Sequence, residues 1–449
     1  GGGMMGLTLA YRLAQQGQRV TLLEAGSSIG GLADAWELGG VTWDRHYHVT
    51  LLSDLHLRQL LSELELEESM RWVETKTGFF TDGKLYSMSN SFEFLKFPPL
   101  NLIEKFRLGF TIFAASKIKN WKTLEQRFVA DWLRQWSGEG TFQKIWLPLL
   151  QAKLGPTYKQ VSAAFIWATI ARMYRARQSG LKKEMFGYVP GGYARVLATF
   201  GEKLASLGVA IKTSQAVQQV VSEMDGRVRV TCSENDSQVF DRVVLTTPSP
   251  LIPKLCPQLP ERERIRHQQI EYLGILCASV VLKRPLANYY VTNITDSWVP
   301  FTAVIEMTTL VDPSELGGQY LAYLPRYVDA DDPAWQWSDA ELEEKFISAL
   351  ERMYPDFSRD EVLAFRVSRV KRVMALPTLR YSQNLPSIDT SIENVFAVNS
   401  AQIVKGTLNV NEVIEIAEDA LRDHLLPAIH ADSPPQKNVE ATGELVARS

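Results

Sequence analysis

The opening stretch, GGGMMGLTLAYRLAQQGQRVTLLEAG, constrains the fold more than any other part of the sequence. Gly1, Gly3 and Gly6 stand at G-x-G-x-x-G spacing, and Met4 and Met5 lead into a helical pattern. Leu7, Leu9, Ala10, Leu13 and Ala14 share one face of that helix, Gly17 ends it, and Arg19 to Leu23 is a short β-rich run closing on Glu24 and Ala25. This is the second half of a βαβ unit. Its glycines allow a tight turn and the close approach of a pyrophosphate to the helix N-terminus, where unpaired N–H groups and the dipole favour anions. Glu24 is placed to accept hydrogen bonds from a ribose diol, and an acid there argues against a 2′-phosphate. A plain capping turn with a surface Glu is the alternative. The first strand of the unit is expected upstream of Gly1, as a buried parallel strand of about five to eight residues.

At 449 residues the chain can bury two or three lobes. Its net charge of −3 leaves no electrostatic footprint for nucleic acid. Cys232, Cys256 and Cys277 have neither metal-ligand spacing nor an even count, which fits a reducing cytoplasm and predicts no metal site. No apolar run approaches the roughly 18 residues of a membrane span. Residues 429–449 are polar and aperiodic, and are expected to form a disordered tail.

Four further blocks extend the nucleotide signal. GSSIGGLADAWELGGVTWDRHYHV carries a second glycine pair, Gly30-Gly31, then a hairpin-like run turning at Gly39-Gly40. YVPGGYARVLATFGEKLASLGVAIKTSQAVQQV leads from Gly191-Gly192 through a helix and a strand to Val217. FDRVVLTTPSP supplies a strand and a proline-bearing loop, and NVFAVNSAQIVKGTLNVNEVIEIAEDAL a strand, a turn and a helix. Taken in this order to about residue 428, the blocks resemble the flavin-dependent amine oxidase superfamily, which includes protoporphyrinogen oxidase and phytoene desaturase.

The resemblance implies an α/β fold with a discontinuous Rossmann-like FAD-binding domain and an α+β substrate lobe. The FAD domain would comprise residues 1–75, 185–250 and 375–428, and the lobe residues 76–184 and 251–374. The implied FAD-contacting set is Gly1, Gly3, Met4, Met5, Gly6, Glu24, Ala25, Gly30, Gly31, Leu32, Val217, Thr247, Ser400, Asn409 and Val410. Val217 would hold the adenine through its backbone, and the helix beginning near Asn409 would face the flavin N1–C2=O edge. The chain departs from the family pattern twice. Leu32-Ala33 stands where relatives often have an arginine, and Asn399-Ser400 where they usually have Gly-Asp.

The first insertion reads as mostly helical, with 3.6-residue periods in LNLIEKFRLGFTIFAASKIKNW, LEQRFVADWLRQW and VSAAFIWATIARMYRAR. The second mixes strands, in ILCASVVLK and GQYLAYLPRYV, with a helix in DAELEEKFISALERMY. These strands are expected to floor a substrate cavity over the flavin. His46 and His48 would point oppositely on a strand near the flavin, as proton relay or as structural histidines. Arg172, Arg175 and Arg177 would neutralise a substrate anion or line a solvated helix face. Glu306, an acid in an apolar run, is costly to bury unless paired, and so is a candidate catalytic group. Tyr289, Tyr290, Trp298 and Tyr327 would line the cavity or fill the core. Pro377 and Tyr381 match a family segment that approaches the flavin face.

These features together predict an FAD-dependent oxidoreductase acting on a small apolar or amphipathic molecule, such as an isoprenoid, polyene or tetrapyrrole. Oxygen or a quinone would be the electron acceptor. A non-redox flavin isomerase or mutase acting on a polyene or nucleotide sugar, and a binding protein that retains FAD, are the alternatives. The segment FEFLKFPPLNLIEKFRLGFTIFAASKIKNWK combines Phe94, Leu95, Phe97, Leu100, Leu102 and Ile103 with Lys105, Arg107, Lys117, Lys119 and Lys122. It fits peripheral contact with a membrane or, as the slightly negative net charge favours, a lobe helix with its apolar face packed inward.

Overall fold

A computed structural model describes residues 1–178, 185–233 and 236–431. The helix Met4–Gln15 follows the glycine turn as expected, and the strand Thr21–Leu23 pairs in parallel with Ala210–Lys212. A second parallel pair joins Val243–Leu245 to Val395–Ala397. Among the described residues no strand joins the two pairs into one sheet. The closing helix Val410–Ala420 packs on Met4–Gln15, so the two ends of the chain share a core through Met4, Leu7, Val410 and Ile414. A three-stranded antiparallel meander, Gln219–Ser222, Val228–Ser233 and Asp236–Phe240, lies between them in sequence.

The remaining core is built on a seven-stranded mixed sheet. Its order is Val362–Ala375, Tyr272–Leu282, Tyr320–Val328, Ala303–Glu306, Val291–Ile294, Thr77–Thr81 and Lys84–Ser87. The strand Tyr272–Leu282 is buried along its whole length because it has neighbours on both edges and side chains packed on both faces. One face meets the helix Asp339–Met353, and the other meets the helix Leu147–Leu154, behind which the helices Val129–Ser137 and Ala163–Gln178 share the same core. The last two strands come from residues 77–87, a stretch expected to be mostly helical. Local periodicity cannot announce that pairing, since Thr77–Thr81 finds its partner at Val291–Ile294.

Three expectations are corrected. The helix Leu102–Lys117 turns Lys105, Leu108, Thr111 and Ala115 inward and leaves Leu102, Ile103, Phe106, Phe110 and Phe113 exposed, so its most apolar face does not pack into the core. Phe97 and Leu100, just before it, are buried. His46 and His48 lie on an irregular stretch between the strands Val41–Asp44 and Thr50–Leu51, because residues 45–49 have no strand partner there. Residues 429–431 belong to the helix Leu426–Ala431, anchored where Leu426 and Ala428 pack beside Leu421 and Leu425. The rest of the expected tail, residues 432–449, lies outside the described residues.

Candidate FAD site

The helix Met4–Gln15 starts at Gly3 with no side-chain cap and no acid in its first turn. Its N-terminal N–H groups and dipole therefore favour an anion. A Cβ built on Gly3 would meet nothing within 4 Å, so Gly3 borders open space at the helix end. Gly6 does the opposite: a Cβ there would come within 1.9 Å of the Gly1 carbonyl, so only glycine lets the helix pack this close. The second glycine pair docks onto the first. The Gly30 N–H donates to the Gly2 carbonyl at 2.7 Å. Gly31, at φ +59°, brings its Cα region so near that an added Cβ would sit 3.1 Å from the Gly3 Cα.

Glu24 closes this cradle from the strand end. One carboxylate oxygen accepts the Gly2 N–H at 2.5 Å and the other accepts the Gly26 N–H at 2.7 Å. A carboxylate offers about four lone-pair sites, so acceptor capacity remains for a ribose diol. The Gln215 N–H donates to the Glu24 carbonyl at 2.8 Å and the Ser214 N–H to the Gly26 carbonyl at 2.7 Å. Half-buried Val217 is thereby carried alongside Glu24 and exposed Ala25. Met4, Met5 and Val410 bury their side chains in the hydrophobic core, which leaves only their backbone for a ligand. Thr246 donates to the Gly1 carbonyl at 3.4 Å, while the Thr247 hydroxyl is buried without a hydrogen-bond partner. A bare helix N-terminus, open space at Gly3, a partly engaged Glu24 and an orphaned hydroxyl fit a dinucleotide.

The closing motif is braced by the protein itself. Asn399 is buried, accepts the Ala401 N–H at 3.0 Å through its side chain, and caps the short turn Ser400–Gln402. The Tyr272 hydroxyl accepts the Ser249 N–H at 3.4 Å, and the Tyr381 hydroxyl donates to the Ala401 carbonyl at 2.9 Å. Burial raises the Tyr381 pKa well above its ordinary value, so it stays a neutral donor. Asn409 caps the helix Val410–Ala420 by accepting the Glu412 N–H at 3.1 Å. Pro377 accepts the Ser162 N–H at 2.9 Å, tying this segment to the helical part of the lobe.

His46 is buried, and its Nδ1 meets the Leu32 carbonyl at 3.0 Å. Burial, with the nearby His48, pushes its pKa down to about 4, so the ring is neutral near pH 7 and Nδ1–H is the donor. It thus positions the loop after Gly30-Gly31. Across the following hairpin Arg45 pairs with Asp34 at 2.6 Å, tying the loop after Gly30-Gly31 to the strand Val41–Asp44. The sequence reading missed both residues, although opposite charges eleven residues apart across a glycine-turned hairpin are a usable signal. Asp44, the acid ahead of the two histidines, accepts the Tyr193 N–H at 2.7 Å and so pins the Gly191-Gly192 turn, a role the sequence does not mark.

Other candidates are engaged elsewhere. Glu306 is buried and accepts the N–H groups of Leu286, Ala287 and Tyr289 at 2.9, 3.0 and 3.3 Å, which commits its carboxylate to the 286–289 loop. Burial raises its pKa. Arg172 pairs with Asp54 at 2.9 Å. The side chains of Arg175 and Arg177 lie outside the described residues. Tyr290 packs edge-on against Phe186, Trp298 against Phe80, and Tyr289 beside Gly78. The Tyr327 hydroxyl lies 3.0 Å from that of Tyr47, and the Lys153 ammonium sits over its ring at 3.5 Å. Among the described residues no group of three or more His, Cys, Asp or Glu is arranged to hold a metal ion.

This geometry defines a dinucleotide-binding protein with a separate sheet-based lobe, and comparison gives its family. The family described as flavin containing amine oxidoreductase matches residues 4–391. The chain belongs to that family, and FAD is its cofactor. It is 26% identical over 256 residues to the zeta-carotene desaturase of Synechocystis sp., a match covering 51% of this chain and 52% of that protein. The chain thus spans about half the length of this curated relative. A provisionally assigned protoporphyrinogen oxidase from Exiguobacterium sp. 255-15 shares the fold, with a TM-score of 0.75, 18% identity, and coverage of 95% of this chain and 98% of that one. Reduced UDP-galactopyranose mutase does so at a TM-score of 0.71 and 14% identity, covering 95% and 93%.

Proposed function

We propose that the protein is an FAD-dependent oxidoreductase whose substrate is an apolar or amphipathic small molecule of the isoprenoid, polyene or tetrapyrrole class. The observation that carries the substrate class is a continuous apolar cluster. It runs from Leu32 and Leu408, on the cofactor segments, through Tyr47 and Tyr327 to Leu273, Ile275 and Cys277 of the large sheet. Burial raises the Tyr47 hydroxyl far above its ordinary pKa and the Cys277 thiol likewise, so neither is charged near pH 7, while the Lys153 cation lies beside them over the Tyr327 ring. Leu273, Ile275 and Cys277 are fully packed, whereas Leu32, Tyr47, Tyr327 and Leu408 are only partly buried. A molecule meeting those four is recognised by shape and apolar contact, with the paired tyrosine hydroxyls as a polar handle. The similarity to zeta-carotene desaturase supports a polyene within this class.

Bound FAD supplies a two-electron acceptor for substrate hydride, and oxygen or a quinone is the terminal acceptor in this reading. The protein's part is orientation. Glu24 and the two glycine loops would hold the dinucleotide, neutral His46 fixes the Leu32 carbonyl, and Tyr381 fixes the turn at the Ala401 carbonyl. Anaerobic mixing of the flavin-loaded protein with zeta-carotene and related polyenes is the test. Bleaching of the flavin absorbance with stoichiometric desaturated product is expected. Conversion without bleaching would make it an isomerase, and binding without conversion would make it a carrier.

A further inference from the structure

The helix Leu102–Lys117 is inside out for a protein surrounded by water. Steps of 100° per residue place Leu102, Ile103, Phe106, Phe110, Phe113 and Lys117 within an arc of about 100°. That arc faces outward, with Leu102 77%, Phe106 74% and Phe110 50% exposed. The inward face holds Lys105, whose ammonium donates to the Leu95 carbonyl at 2.7 Å, and Thr111. Amphipathicity thus runs opposite to what core packing rewards. The short helix Ser91–Lys96 adds Phe92 and Leu95 to the same surface, both more than half exposed.

The patch is ordered. Phe106 and Phe110 stack at 6.4 Å, Phe110 stacks on Trp136 at 6.0 Å, and Trp136 on buried Trp132 at 5.5 Å. Cations border it: Lys96 lies over the Phe92 ring at 4.1 Å and Lys117 over the Phe113 ring at 5.3 Å, while Arg107, Lys119 and Lys122 are exposed. The nearby acids are engaged, Glu104 with Lys144 at 2.8 Å and Glu93 with Ser87 at 2.6 Å. A two-fold contact with a second copy would set these cations against their own counterparts. An anionic lipid surface complements both the apolar stripe and its charge.

We infer that Leu102–Lys117 and Ser91–Lys96 dock the protein on a bilayer, burying Phe92, Leu95, Leu102, Phe106, Phe110 and Phe113 at headgroup depth. Lysines that border the aromatic rings then meet anionic headgroups. No helix among the described residues is long and apolar enough to cross a membrane, so this contact is peripheral.

The test is co-sedimentation of the flavin-loaded protein with vesicles of phosphatidylcholine and phosphatidylglycerol in equal parts, and with phosphatidylcholine alone. Wild-type protein is expected to sediment with the anionic vesicles. Phe106→Ser with Phe110→Ser should lower the vesicle-bound fraction about tenfold, and Lys117→Glu with Lys119→Glu should act chiefly at low salt. All four residues are exposed, so flavin content and melting temperature should be unchanged in both variants. Equal sedimentation with and without anionic vesicles would overturn the inference. So would a concentration-dependent dimer that Phe106→Ser with Phe110→Ser dissolves, since the patch would then serve a second copy.

Discussion

The Glu24 carboxylate accepts the Gly2 N–H at 2.5 Å across twenty-two residues of chain, joining the end of the Thr21–Leu23 strand to the glycine turn that opens the first helix. Its second oxygen holds the Gly26 N–H, so one side chain fixes both the glycine turn and the loop after the strand.

Replacing Glu24 by alanine removes charge-assisted hydrogen bonds worth about 1.5–3 kcal/mol each. FAD affinity is expected to fall by about ten- to a hundredfold, read by flavin fluorescence titration of the apoprotein. An unchanged dissociation constant would mean that the nucleotide does not lie against this residue.

His46 gives the protein a pH signature. Its folded pKa of about 4 lies below the ordinary value of 6.5, so the unfolded chain binds the proton more readily between the two. The corresponding stability is complete above pH 6.5 and is lost as pH falls towards 4, in total about 3 kcal/mol. Denaturant unfolding from pH 7 to 4 should show this slope in the wild type and a flatter one in His46→Gln. Parallel curves would place the histidine in water.

Arg172 is a structural partner of Asp54 rather than a free cation for substrate. Asp54 is buried and also accepts the Leu51 N–H at 2.9 Å, so Arg172→Ala would leave a buried carboxylate short of its countercharge. A loss of about 3 kcal/mol in unfolding free energy is expected, with flavin content preserved in the folded fraction. Full stability combined with a weaker response to anionic substrates would contradict this assignment.

The cofactor half of the molecule was legible because its chemistry is local. A glycine turn, a helix, a strand and an acid occupy twenty-four consecutive residues, and each demands its own residue type. Gly39 and Gly40, with φ of +61° and +80°, likewise turn the Ala35–Leu38 and Val41–Asp44 hairpin where the sequence places it. The lobe was less legible because its determinants are distant or two-sided. Periodicity shows that Leu102–Lys117 has an apolar stripe but not which way the stripe faces. Glu306 read as a catalytic candidate because its partners are backbone N–H groups of a loop seventeen to twenty residues earlier, which no residue type marks. The pairing of Thr77–Thr81 with Val291–Ile294 spans more than two hundred residues and has no local trace.

Gly3 is where the cofactor's place is tested most directly. Its φ of −71° suits any L-residue, and a Cβ there meets no protein atom within 4 Å, so Gly3→Val has no steric reason to disturb the fold. The same side chain would occupy the space that the cradle keeps for the pyrophosphate. Thermal unfolding of the apoprotein should therefore be unchanged by Gly3→Val, while FAD affinity, measured by titration on the same samples, falls by about a hundredfold or more. Wild-type FAD affinity in a normally folded Gly3→Val protein would contradict the placement of the cofactor at this helix.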